Sequence, residues 1–343
     1  MASYSLILIY KYNYNAPWRK GAQLDKVRVG FVGAGVHANA VHYPSLASMK
    51  DVEIVAICDI NLSRLRSTSK KYGVELQYTD YKKMFEEVKL DAVYIIMPPH
   101  QLYDIVIDAL RHGFNVFIEK PPGITAFQTE SMARYARKYR CKTMVGFNRR
   151  FIPLLRKVKK IVTERGPILQ AVAVFYKHRL GEEPYFRGAV DISTCDAIHA
   201  VDTLRWIGGD VERVVSVVKR FHCEYDNAFY ALMRFKTGGV GILMSNWAAG
   251  KRIHVFEMHS KGISASINPD DKALIYMDNK EDPLIITTQE AAGSNDRIWY
   301  YGFYFENRHF IDCIKNDTEP EVNFEEAAKT MRLIKLIYNS QMS

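Results

Sequence analysis

Two glycines and an aspartate have the types and spacing to hold an anionic ligand. In V-R-V-G-F-V-G-A-G-V-H-A, residues 27–38, an apolar run enters a turn at Gly33 and Gly35 and opens into the helix-compatible A-N-A-V-H-Y-P-S-L-A-S-M. Gly33 permits a tight turn, Gly35 lets backbone N–H groups approach a pyrophosphate, and Ala38 is small enough for helix–strand packing. A phosphate would then rest on the helix N-terminus. The next apolar run, V-E-I-V-A-I-C-D, ends at Asp59, placed to accept hydrogen bonds from the hydroxyls of an adenosine ribose. Its charge would repel a 2′-phosphate, which favours NAD over NADP, although Arg64 and Arg66 just beyond could hold such a phosphate. A rival role for Asp59 is to cap the following helix.

The elements that must position these residues alternate. T-D-Y-K-K-M-F-E-E-V predicts a helix capped by Asp80, D-A-V-Y-I-I-M-P a buried strand, and Q-L-Y-D-I-V-I-D-A-L-R-H-G an amphipathic helix stopped by Gly113. N-V-F-I-E-K-P-P, the helix T-A-F-Q-T-E-S-M-A-R-Y-A-R-K-Y and the strand K-T-M-V-G-F-N follow. Continuously apolar strands separated by helices imply a parallel sheet covered on both faces. From about Arg149 the pattern changes. A linking helix, P-L-L-R-K-V-K-K-I-V-T-E-R-G, leads into long alternating runs, two of them joined by the hairpin signal K-T-G-G, with a single helical stretch, D-A-I-H-A-V-D-T-L-R-W-I-G-G, among them. This second part is expected to be α+β, built on an open sheet, and two helices close the chain.

At 343 residues the chain is long enough for two cores, and its 48% hydrophobic and 25% charged residues are ordinary globular composition. The net charge of +9 suits an anionic ligand. The basic runs at 136–142 and 157–160 fall on helical patterns and read as solvated faces. No aromatic-interleaved basic patch suggests nucleic acid. Five cysteines without a C-x-x-C pair argue against a structural zinc site and a disulfide framework, and fit a reducing cytoplasm. No run is long enough to span a membrane. The N-terminus lacks a basic leading region and a small-residue cleavage site, so no secretory signal is expected.

G-A-G-V-H-A, the strand end at Asp59, D-A-V-Y-I-I-M-P-P-H, N-V-F-I-E-K-P, V-G-F-N-R-R-F, H-A-V-D-T-L-R-W-I-G-G and F-I-D-C-I-K occur in an order that resembles the Gfo/Idh/MocA oxidoreductases, the group of glucose–fructose oxidoreductase and inositol dehydrogenase. The resemblance runs from about Lys26 to Ser340. It implies an α/β Rossmann domain with a parallel doubly wound sheet at 26–149, after an extension at 1–25. An α+β domain with a large open, mostly antiparallel sheet would occupy 150–322, and a C-terminal helix at 323–343 would pack back near the Rossmann domain.

The resemblance also implies a site. Lys120 in E-K-P looks like the family's catalytic lysine, and His199 like its general acid/base, a role that suits an imidazole near neutrality. Many relatives carry an aspartate four residues before this histidine. Here that position is Cys195, and Asp196 stands three before, a spacing that on a helix faces the same side. Leu102 replaces another family histidine, with His100 nearby. Cofactor contacts are expected from Gly33, Gly35, Val36, His37, Asp59, Ile60, Arg64, Pro98, Pro99, Glu119, Lys120 and Asn148, and weaker substrate contacts from Tyr176, Lys177, Arg179 and the loop from Tyr185 to Arg187. The implied activity is hydride transfer between NAD, or NADP, and a secondary alcohol of a sugar, polyol or sugar derivative, with no metal required. NAD-retaining glycoside cleavage and a non-catalytic NAD-binding sensor are the alternatives. The open sheet is expected to make a homodimer or homotetramer.

Overall fold

The computed structural model describes residues 25–342, so the expected N-terminal extension lies, apart from Asp25, outside the described residues. Six strands, β1 (Val27–Val32), β2 (Val52–Cys58), β3 (Leu76–Tyr78), β4 (Ala92–Ile95), β5 (Asn115–Glu119) and β6 (Thr143–Gly146), form a parallel sheet in the order β3-β2-β1-β4-β5-β6. The continuous apolar runs explain this: β4 and β6 are buried along their whole length, as strands covered on both faces must be. Three of the intervening helices begin where short polar side chains satisfy free N–H groups. Asn61 accepts from Arg64, Asp80 from Lys82 and Thr125 from Gln128.

The helix after the glycine turn departs from a regular α-helix. Ala38–His42 is a π turn in which the Tyr43 N–H reaches the Ala38 carbonyl, and an α-turn follows over Tyr43–Ala47. Pro44 has no N–H and its ring crowds the carbonyl four residues back, so the chain widens just before it.

Eight strands make the second sheet: β7 (Gln170–His178), β8 (Val211–Lys219), β9 (Ala228–Phe235), β10 (Val240–Asn246), β11 (Ala248–Ser260), β12 (Ile263–Ile267), β13 (Lys272–Met277) and β14 (Leu284–Thr287). Their order is β14-β13-β12-β11-β7-β10-β9-β8, and only β7 and β10 run parallel. The K-T-G-G hairpin joins β9 to β10, with the Phe235 N–H donating to Gly239 and Gly238 at φ +92°. Helices Pro153–Thr163, Ile198–Gly208 and Phe324–Asn339 cover one face of this sheet. Phe324–Asn339 also packs on Ala126–Tyr139, tying the two sheets together.

The other face carries a cross-strand row in which Val215, Leu232, Ile242 and Val172 are successive partners, with Leu274 and Ile285 further along. Leu232 is 55% and Ile285 51% exposed whereas Val172 is buried, so the row is uncovered toward its two ends within one chain, with Glu257 and Ser266 between Val172 and Leu274. All five cysteines are free thiols, and no described helix is long and apolar enough to cross a membrane.

Candidate active site

The glycine turn is shaped by the backbone. Gly33 has φ +112°, and a Cβ there would lie 2.2 Å from the Ile96 carbonyl oxygen. Gly35 has no such constraint, and a Cβ there would meet nothing within 4 Å. Its bare backbone therefore borders open space, the condition for a pyrophosphate to approach. One Asp59 carboxylate oxygen accepts the Ala34 N–H at 2.8 Å and the other the Asn61 N–H at 2.8 Å. The cap of the Leu62–Tyr72 helix is Asn61, so the capping role for Asp59 is set aside. Val36 and Ile60 stand 84% and 89% exposed beside the turn, and the Arg64 side chain is exposed on the helix behind it. These residues fit a dinucleotide: a bare backbone at Gly35 for the phosphates, and an oriented carboxylate at Asp59 for ribose hydroxyls.

The side chains expected to do chemistry come together at the carboxyl end of β5. Lys120 Nζ donates to the Cys195 carbonyl at 3.0 Å. Cys195 thus contributes its backbone oxygen, while burial pushes its thiol up to about 11. Residues Ser193–Ala197 form a π turn ahead of the Ile198–Gly208 helix, so α-helical spacing does not relate Asp196 to His199. Asp196 accepts instead from Lys177, Tyr185 (2.5 Å) and the Trp247 indole (3.3 Å). Burial opposes its charge, yet Lys177 and Lys120 hold its carboxyl below the usual range.

His199 is 4% exposed, and Arg149 Nη1 lies 3.1 Å from its Nε2. A guanidinium only donates, so Nε2 is the acceptor and the proton sits on Nδ1, which is buried without a partner among the described residues. Burial first, then the charges of Arg149 and Lys120, push the imidazole well below its ordinary value. A second buried imidazole, His254, stacks on Phe175 at 4.2 Å and is likewise pushed down, chiefly by burial.

Several expected contacts are relocated. Asn148 does not face the cleft: its amide donates to the Tyr301 carbonyl at 2.8 Å and its oxygen accepts from Arg149 at 2.7 Å. Tyr176 lies on the opposite face of β7 from Lys177, beside Tyr230, because successive strand residues point to opposite sides. Arg179 stacks over the Tyr185 ring at 4.1 Å, and Arg187 is exposed. Leu102 is buried, whereas His100 meets the Phe186 ring at 5.6 Å. Pro98 is half-buried and Pro99 buried behind the Ile96 carbonyl that crowds Gly33. Glu119 Oε1 lies 2.9 Å from His37 Nε2 and 3.0 Å from His42 Nε2, and its Oε2 accepts the Lys120 N–H at 3.0 Å.

Arg149 and Trp247 are the residues that sequence reasoning missed. Arg149 stood in the quoted V-G-F-N-R-R-F, but nothing local separates it from Arg150. Arg150 is turned the other way, into a buried ion pair with Asp202 at 2.6–2.8 Å.

Two family models match. Residues 27–147 fit the oxidoreductase family with an NAD-binding Rossmann fold, and residues 156–262 fit the GFO/IDH/MocA C-terminal domain. The chain belongs to the Gfo/Idh/MocA oxidoreductase family. Myo-inositol 2-dehydrogenase of Thermotoga maritima is 26% identical over 328 residues, covering 90% of this chain and 94% of that protein. D-glucoside 3-dehydrogenase of Escherichia coli is 34% identical over 137 residues, 40% of this chain and 39% of that one. The crystal structure of a dehydrogenase from Chromobacterium violaceum superposes with a TM-score of 0.83 at 25% identity, covering 93% and 96% of the two chains. Family membership makes the protein an oxidoreductase with an NAD-binding domain.

Proposed function

We propose that the enzyme transfers hydride between NAD, in preference to NADP, and a secondary alcohol of a sugar, polyol or sugar derivative. The observation that carries this is the convergence of Lys120, His199 and Asp196 on the π turn at Ser193–Ala197, at the strand end where ligands of such sheets bind. The names of the inositol and glucoside dehydrogenases support the substrate class. The Asp59 carboxylate, facing the glycine turn, supports NAD.

A bound nicotinamide supplies the hydride acceptor or donor. Lys120 presents its ammonium to the oxygen of the hydroxyl whose carbon is oxidised. His199, kept neutral by burial, takes the hydroxyl proton, and the hydroxyl replaces Arg149 as the partner of Nε2. Asp196 holds Lys177 and Tyr185 at the edge of the site, where they meet other hydroxyls of the substrate. The open row on the eight-stranded sheet supports a homodimer or homotetramer through that face.

The test is a screen of sugars and polyols for absorbance of reduced nicotinamide. Lys120→Ala and His199→Ala are each expected to lower kcat by about 10²–10⁴-fold with dinucleotide binding retained. Unchanged turnover in both would remove the assignment. Binding of NAD without turnover on any substrate would instead make the chain a sensor.

A further inference from the structure

A second polar cluster lies behind the glycine turn, and its hydrogen bonds do not close with neutral imidazoles. Asn307 Nδ2 donates to the Phe303 carbonyl at 2.7 Å, which leaves Asn307 Oδ1 facing His42 Nδ1 at 3.2 Å. An amide oxygen cannot donate, so His42 Nδ1 carries the proton and, in the neutral ring, Nε2 presents a lone pair. That lone pair faces the Glu119 carboxylate oxygen Oε1 at 3.0 Å, an arrangement of two acceptors. The same oxygen lies 2.9 Å from His37 Nε2. Two acceptors held in contact require a positive species between them, either a proton or a metal ion.

Three features favour the metal. The two imidazole nitrogens and the carboxylate oxygen lie within 4.8 Å of one another, and the rings stand at 79°, approaching one point from different directions. Bonds of about 2.0–2.1 Å in a tetrahedral site place ligand atoms roughly 3.3 Å apart, so the two carboxylate–imidazole spacings, 2.9 and 3.0 Å, need to open by only a few tenths of an ångström. His42 is already oriented by an outer hydrogen bond to Asn307, the support that metal-binding imidazoles characteristically have. His42 is buried and His37 about half exposed, so the cluster has one closed side and one side open to entry.

The geometry points to a binding site for a divalent transition metal of the zinc class, held by His37 Nε2, His42 Nε2 and Glu119 Oε1. Two histidines and one carboxylate with an open position are a zinc donor set, and imidazole also accepts cobalt and nickel. Magnesium and calcium, which require oxygen ligands, do not suit it. The site adjoins Lys120, whose backbone N–H donates to Glu119 Oε2 at 3.0 Å, but uses neither the Lys120 nor the His199 side chain, and nothing in it depends on the substrate assigned above.

The experiment uses tag-free full-length protein stripped with a chelator and titrated with Co²⁺, followed by visible absorption and calorimetry. One Co²⁺ per chain is expected, with the intense absorption of a low-coordinate site, displaced stoichiometrically by Zn²⁺ and not by Mg²⁺. His37→Ala removes a half-exposed ligand without touching the core and is expected to weaken Co²⁺ binding at least about tenfold at an unchanged melting temperature. Glu119→Gln is expected to do the same, and Asn307→Asp to retain the spectrum. No stoichiometric Co²⁺ binding to the unaltered protein would overturn the proposal and leave a proton on His42 as the bridging charge. Binding undiminished in folded His37→Ala, or binding of Mg²⁺ in place of Co²⁺, would also overturn it.

Discussion

The two ends of the cleft are built by different means. At the turn, the proposed cofactor site is made by the backbone: Gly33 adopts φ +112° beside the Ile96 carbonyl, Gly35 is bare, and the Asp59 side chain is held by the N–H groups of Ala34 and Asn61. At the far end the proposed chemistry rests on side chains contributed by distant segments, with Lys120 just after β5, Arg149 after β6, Lys177 from β7, His199 from a helix and Trp247 between β10 and β11. Most of the backbone site is specified by one stretch of a dozen residues, 27–38, with Asp59 just past the end of the next strand. A side-chain site is specified only when the whole fold is in place.

The largest effect is expected at the backbone end. Gly33→Ala forces a Cβ to 2.2 Å from a carbonyl oxygen at a dihedral that L side chains avoid, and neither neighbour can yield without moving β1 or β4. Loss of measurable dinucleotide binding and a lowered melting temperature are expected. At the other end, Arg150→Met leaves Asp202, which is fully buried, with Thr330 as its remaining hydrogen-bond partner. Removing one partner of such a pair costs about 3–5 kcal/mol, to be read from chemical denaturation. Dinucleotide affinity per folded molecule should be unchanged.

Gly35→Ala sharpens the contrast. The added methyl meets no protein atom within 4 Å, so the melting temperature should hold or rise slightly. The space it enters is the space assigned to the pyrophosphate, and dinucleotide affinity should fall by about tenfold, roughly 1.4 kcal/mol. Equal affinity in the variant would mean that the ligand does not pass over Gly35.

The same contrast decides what was legible in the sequence. The parallel sheet followed from continuously apolar runs between capped helices, and the second sheet from long alternating runs with a K-T-G-G hairpin. Asp59 was legible because its partners, Ala34 and Asn61, lie in the same unit. Lys120 and His199 were legible through the motifs around them. Arg149 was not: two adjacent arginines are equivalent until tertiary packing sends one to His199 and the other to Asp202. Tyr176 and Lys177 differ only in strand parity, and parity has no meaning until one face of the sheet is covered. Asp196 looked like a partner for His199 because α-helical spacing was assumed; the π turn rotates it toward Lys177 instead. The contact between His42 and Asn307 spans 265 positions, and nothing local announces it.

The smallest effect tests how the far end tunes its base. The His199 imidazolium is disfavoured first by burial and then by the Arg149 charge, so in the free enzyme the ring stays neutral well below its ordinary value of 6.5. For alcohol oxidation, kcat/KM should hold as pH falls through 6.5 and decline only below it. Arg149→Met keeps the bulk but removes the charge, so the acid limb should move up toward 6.5 without reaching it, because burial remains. Stability obeys the same sign. A folded-state value below the unfolded one means that the unfolded chain takes up the proton first, so His199 withdraws stability as pH drops below about 6.5, and Arg149→Met should lessen that withdrawal. If the limb stays in place, burial and the remaining charges, Lys120 first among them, set the base, and Arg149 serves only to occupy Nε2 until a hydroxyl replaces it.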